Sequence, residues 1–157
     1  MFRIGIIGAG WIAHKMTLAL GYTDEACVYA IASRSEDKAR SFAEEHGIPM
    51  AYGSYEAMLD DTEVDLVYIA TPHSHHFAHA MLALEHGKPV LVEKAFTANA
   101  KEAKILIDTA RNKGLFITEA IWTRYMPISH KIREVMDSGI IGEPRIITAT
   151  LCYMMEH

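Results

Sequence analysis

Apolar positions along the chain cluster into short unbroken runs separated by mixed, amphipathic stretches. Phe2–Ile7 (FRIGII), Cys27–Ala32 (CVYAIA), Val64–Ala70 (VDLVYIA) and Pro89–Val92 (PVLV) are dense in Val, Ile, Leu and Ala and show little alternation. Pro49–Tyr52 and Leu115–Thr118 are shorter runs of the same kind. A strand that is apolar on both sides must be covered on both sides, which is the situation of a parallel sheet between helices. The intervening stretches predict helices over Trp11–Leu20, Glu36–His46, Tyr55–Leu59, Ser74–His86 and Asn99–Lys113, with Asn99 or Thr97 near the last one's cap. Three of them stop at Gly47, Gly87 and Gly114, a common helix terminator. Strands alternating with helices of about 10 to 15 residues predict an α/β fold, a doubly wound parallel sheet with right-handed crossovers.

The pattern changes after residue 120. Trp122–Ser138 reads as a helix with Pro127 in its first turns, Gly139–Pro144 as a turn, and Arg145–Tyr153 as a long strand. One strand cannot form a sheet by itself. We therefore expect the doubly wound α/β domain to span residues 1–120. Residues 121–157 would be the linking helix and first strand of a truncated second α+β domain.

Composition narrows the class without changing this picture. Of 157 residues, 50% are hydrophobic and 22% charged, and the net charge is −5 with His neutral. That balance disfavours nucleic acid or an anionic membrane as a partner. No apolar run approaches the ~20 residues of a membrane span. Cys27 and Cys152 are far apart and lie in apolar runs, so reduced core thiols in a cytoplasmic chain without a signal peptide are expected.

The chemistry gathers at predicted strand ends. Gly8-x-Gly10-x-x-Ala13 follows the first strand and opens a helix, the context a dinucleotide turn requires. Gly8 allows the tight turn, Gly10 lets a diphosphate approach the backbone, and Ala13 lets helix and strand pack closely. Amide N–H groups from Gly8, Ala9, Gly10, Trp11 and Ile12 and the helix dipole would hold the phosphates. The second strand ends Ala32-Ser33-Arg34, without the carboxylate that usually meets an NAD ribose. Ser33 can donate a hydrogen bond, Arg34 can meet a 2′-phosphate, and Lys38 adds positive charge, so NADP is favoured and NAD is the alternative.

His73, His75, His76 and His79 crowd the segment after the fourth strand, but no Cys or carboxylate joins them. No metal is expected there. A nucleotide-edge or helix-cap role suits His73 and His76 better, with His79 a surface or packing residue. Finally, Val90-Leu91-Val92 runs straight into Glu93-Lys94. At the end of a fifth parallel strand this pair faces the ligand crevice. Partial burial beside an oxidised nicotinamide would favour a neutral Lys94 amine able to take a proton from an alcohol. Glu93 would orient it or hold a ribose hydroxyl.

These motifs together resemble the glucose–fructose oxidoreductase/inositol dehydrogenase (Gfo/Idh/MocA) family. They are Gly8-Ala9-Gly10-Trp11-Ile12-Ala13, Ser33-Arg34, Thr71-Pro72-His73-Ser74-His75-His76 and Glu93-Lys94. The stretch Glu119–Pro127 (EAIWTRYMP) is similar to the branch of dimeric dihydrodiol dehydrogenases and NADP-dependent xylose dehydrogenases. The resemblance implies a Rossmann domain and an NADP-dependent dehydrogenase acting on a sugar, diol or polyol, homo-oligomeric at full length. It implies Lys94 as acid/base or hydroxyl anchor, Thr71, Pro72, His73 and His76 beside the nicotinamide ribose, and Trp122 and Arg124 near the cofactor or substrate end. Ala95 stands where the family usually has proline, and His73 where many members have Asn. Family members are about twice as long, so this chain is expected to be a fragment with an incomplete substrate site. A non-catalytic nucleotide-binding module or sensor subunit is the other reading.

Overall fold

The apolar runs become six parallel strands. In the computed structural model, which describes residues 1–150 and 152, they are β1 (Phe2–Ile7), β2 (Ala26–Ala32), β3 (Met50–Tyr52), β4 (Leu66–Ile69), β5 (Val90–Val92) and β6 (Ile117–Glu119). They pair in the order β3-β2-β1-β4-β5-β6. The helices between them are α1 (Trp11–Leu20), α2 (Glu36–His46), α3 (Tyr55–Leu59), α4 (His76–Glu85) and α5 (Ala100–Lys113). Sequence order runs outward from β1 in both directions, so β1 and β4 flank the point where the winding reverses.

Side chains alternate across each strand, so one apolar strand feeds two cores. Ile7 joins Met58, Leu59, Val67, Ile69, Leu84, Val92 and Leu106 on one face of the sheet. Its neighbour Ile6 joins Ala13, Ile31, Phe42 and Tyr68 on the other. Each fully buried Ile or Leu contributes about 1.5–3 kcal/mol. This two-sided demand is why the runs carry no polar alternation.

Helix ends follow side-chain chemistry. The Asn99 carboxamide accepts from the Glu102 N–H at 3.0 Å and starts α5; Ser35 and Ser54 start α2 and α3 in the same way. At the far end of α5, Gly114 has φ +65° and the Leu115 N–H donates to the Ala110 carbonyl. Leu115 is thus part of the helix stop, and β6 begins at Ile117, two residues later than the apolar run predicts. Similarly, β4 is shorter than its run. A 3₁₀ turn over His73–His75 precedes α4, so the helix starts at His76 rather than Ser74.

The chain forms two compact units, Met1–Ala120 and Ile121–His157. In the second, the expected single helix over Trp122–Ser138 is divided. A 3₁₀ turn (Trp122–Tyr125) is followed by α6 (Pro127–Asp137), which starts at Pro127 because proline lacks the N–H that only an interior helical position needs. The expected strand from Arg145 is absent over residues 145–150, because no neighbouring strand pairs with it there. The end of that expected strand, Tyr153, lies outside the described residues. Ile128, Ile132, Val135, Met136, Ile146 and Ile147 line an apolar hollow of about 530 Å³ within this unit. Cys27 is half-buried, but Cys152 is exposed, so only the first approaches the expected core thiol. Among the described residues no helix is long and apolar enough to cross a membrane.

Candidate functional site

Register brings the candidate residues into one row. Ile7 of β1 lies opposite Ala32 of β2 and Ile69 of β4, and Ile69 lies opposite Val92 of β5. The next residue on each strand is therefore Gly8, Ser33, Ala70 and Glu93. All four leave the sheet at its C-terminal edge, around the β1/β4 reversal where open parallel sheets bind ligands. Backbone bonds fix the row: Gly8 N–H to the Ala32 carbonyl, Ala70 N–H to Ile7, and Glu93 N–H to Ile69.

The first loop is shaped for a phosphate. Gly8 has φ +104°, and a Cβ there would stand 2.9 Å from the Ala70 carbonyl oxygen and 3.0 Å from Thr71 Cγ2. Gly10 caps α1 in extended conformation with no side-chain cap, and the first turn carries no acidic residue. The N–H groups of that turn have no intrahelical acceptor. A Cβ at Gly10 would meet nothing within 4 Å. The space and the donors fit a diphosphate. Trp11 is exposed with Lys15 Nζ 5.4 Å from its ring centroid, and Ile12 is half-buried. Ala13 is fully buried, as close helix–sheet packing requires.

At the end of β2, Ser33 is buried, with its Oγ 3.4 Å from the Ser35 N–H. Arg34 and Lys38 are exposed. The Arg34 guanidinium is near enough to Tyr55 and His79 to act on both electrostatically. The residues that follow Ala32 at the β2 end are thus a hydroxyl and a guanidinium rather than a carboxylate.

The histidines separate into distinct roles. His76 is fully buried, its Nδ1 2.7 Å from the Ala95 carbonyl and its Nε2 2.9 Å from the Thr71 carbonyl. Both ring nitrogens are thus engaged inside the protein. It ties the β4 loop to the β5 loop. A neutral imidazole donates to one of these carbonyls, the imidazolium to both. Replacing His76 with Ala is expected to leave a buried carbonyl without its donor, to break the tie between the two loops and to destabilise the fold by about 2 kcal/mol. A urea midpoint that falls at unchanged slope would register this.

His79 also points inward. Its Nδ1 lies 3.0 Å from Thr71 Oγ1, its ring meets Tyr55 edge-on, and burial holds its pKa below the usual value, aided by His75 and Arg34. Thr71 is buried, while Pro72 and His73 are exposed at the row's edge. Among the described residues, no three donor atoms of the 73–79 segment converge as metal ligands.

Lys94 is exposed rather than partly buried, because β5 stops at Val92 and the chain turns outward. The Lys94–Ala95 peptide bond is cis. Glu93 makes no ion pair with the Lys94 ammonium among the described residues. Its carboxylate accepts from the Tyr68 hydroxyl at 2.6 Å and from the Lys94 N–H at 3.0 Å. Burial and the Glu93 carboxylate both push the Tyr68 phenol well above its ordinary pKa. Tyr68 and Glu119, whose carboxylate accepts from the Phe96 N–H at 2.8 Å, brace this loop, and sequence reading missed both. The one phenol in an otherwise aliphatic β4 was the available signal. Trp122 and Arg124 belong to the second unit, where both are exposed and Arg124 lines a small cavity with Tyr125, Ser129, His130 and Arg133.

A parallel sheet whose reversal point carries a glycine turn at a helix start is a Rossmann dinucleotide-binding domain. Residues 2–120 match the oxidoreductase family with an NAD-binding Rossmann fold, and the chain belongs to this Gfo/Idh/MocA family. Trans-1,2-dihydrobenzene-1,2-diol dehydrogenase of Macaca fuscata fuscata is 40% identical over 157 residues, 99% of this chain and 47% of that protein. D-xylose 1-dehydrogenase (NADP(+)) of Hypocrea jecorina is 59% identical over 91 residues, 58% of this chain and 23% of that protein. The crystal structure of KijD10, a 3-ketoreductase from Actinomadura kijaniata in complex with NADP, superposes with TM-score 0.80 at 35% identity, covering 90% of this chain and 45% of that one. The chain spans about half the length of the relatives it matches.

Proposed function

We propose that this chain is the coenzyme-binding half of an NADP-dependent dehydrogenase acting on a sugar, diol or polyol. The observation that carries the reading is the single row at the sheet's C-terminal edge: a glycine turn, Ser33-Arg34 without an acid, the Thr71 loop and Lys94. When bound, the nicotinamide coenzyme supplies hydride chemistry to the site.

The protein's own groups do the rest. Amides from Gly8 to Ile12 hold the diphosphate, with the start of α1 adding its dipole. Arg34, with Lys38 nearby, meets the 2′-phosphate by paired charged hydrogen bonds. Thr71, Pro72 and His73 line the ribose side, and His76 fixes that loop from beneath. Glu93, held by Tyr68, sets the backbone from which Lys94 projects. The Lys94 ammonium gives a proton to a substrate carbonyl, or its amine takes one from a hydroxyl. Relatives named for diol and xylose oxidation support this substrate class.

Fluorescence titration of the chain with NADPH and NADH tests the reading. Saturable NADPH binding that exceeds NADH binding is expected. Replacing Arg34 with Ala should weaken NADPH by about tenfold to a hundredfold, the loss of one charged hydrogen-bonding partner, and leave NADH within a few-fold. Preference for NADH in the unaltered chain would overturn the coenzyme choice.

A further inference from the structure

We propose that His14, Glu45 and His46 form a site for one divalent transition-metal ion of the zinc class, bridging α1 and α2. The three residues lie outside the row just described. His14 Nδ1 stands 3.1 Å from His46 Nε2, with ring centroids 4.9 Å apart and planes tilted by 53°. Glu45 Oε1 lies 3.7 Å from the same His46 nitrogen. The donor atoms of all three residues fall within 4.8 Å of one another.

This spacing suits coordination. With each nitrogen about 2.05 Å from an ion, a separation near 3.1 Å subtends an angle of about 100°. That lies between the octahedral and tetrahedral values. Two imidazoles and one carboxylate are the donor set of open zinc sites, with the remaining positions left to water.

The site is partly preorganised. The His46 side chain is only 7% exposed, and the Phe42 ring packs against it with centroids 4.4 Å apart. His46 closes α2, and His14 sits in the second turn of α1, so the two helices present their nitrogens from opposite sides. Glu45, 66% exposed, stands at the open rim and can close over an ion without disturbing the core. Without metal, one ring donates its N–H to the other. With metal, both lone pairs face the cation and the donor ring takes its other tautomer. The ion would fasten the helix that begins at the glycine turn to the helix packed beside it.

Chelator-stripped protein titrated with Co²⁺ and Zn²⁺ tests this directly. One equivalent should bind, with Co²⁺ giving the visible bands of a four- or five-coordinate nitrogen/oxygen site, and Zn²⁺ should raise the melting temperature. His14→Gln and His46→Gln remove a direct ligand. Each should weaken binding by more than the roughly 10–100-fold that loss of an outer-shell partner causes. His75→Gln and Cys152→Ser should bind as the unaltered protein does. Absence of saturable binding overturns the proposal. So does binding that survives His14→Gln and vanishes in His75→Gln or Cys152→Ser. His14 is only half-buried and Glu45 is exposed, so His14→Gln and Glu45→Gln decide the matter even if His46→Gln fails to fold.

Discussion

Replacing Lys94 with Ala is expected to lower kcat by about 10²–10⁴-fold, the usual contribution of a positioned proton donor or acceptor. Coenzyme affinity should change far less, because the phosphate-binding turn is on a different strand. Lys94 leaves β5 one residue beyond Glu93, whose carboxylate is held by the Tyr68 hydroxyl and the Lys94 N–H. That leaves the ammonium exposed and without an acidic partner among the described residues. Steady-state kinetics with aldoses, diols and polyols, on protein of the relatives' full length, measure kcat. NADPH titration of the 157-residue chain measures the affinity. Lys94→Arg should keep the charge and still lose most of the rate, since guanidinium does not give up its proton. Full activity in Lys94→Ala would remove the residue from this role.

Gly10→Val is expected to separate binding from folding. Gly10 has φ −117°, which any residue adopts, and a Cβ there meets nothing within 4 Å. The change should cost the fold no more than about 1 kcal/mol, from a poorer helix cap. The added methyls would stand where the diphosphate must approach the amides. NADPH affinity should therefore fall by about a hundredfold or more, some 2.7 kcal/mol. Gly8 is the contrasting position. Its positive φ and its contacts with Ala70 and Thr71 make any side chain destabilising before ligand is considered. Paired measurements of melting temperature and NADPH titration distinguish the two. Undiminished NADPH binding by Gly10→Val would place the diphosphate elsewhere.

Much of the sheet was legible because its strands are buried on both faces, and a continuous Val/Ile/Leu run of four to seven residues suits little else in a folded chain. The glycine turn and the end of β2 at Ala32 were legible for a related reason, since both depend on local backbone and neighbouring residues. What escaped was long-range. Leu115 is as apolar as a strand residue, but its N–H completes the stop of α5. Arg145–Thr150 has strand-like composition, and pairing depends on a partner that composition does not reveal. His76 belongs to a histidine-rich segment, and its sealed position follows from a carbonyl at Ala95, 19 residues away. His14 and His46 are 32 residues apart on separate helices, a distance at which spacing rules say nothing.

The pairing of β1 with β4 joins Ile4 to Leu66 and places Ala70 against Gly8. The Gly8 turn thus takes its shape only after a loop of some sixty residues has closed, the kind of distant contact that slows folding. Coenzyme bound there, as proposed, would stabilise the state in which β1 and β4 are paired.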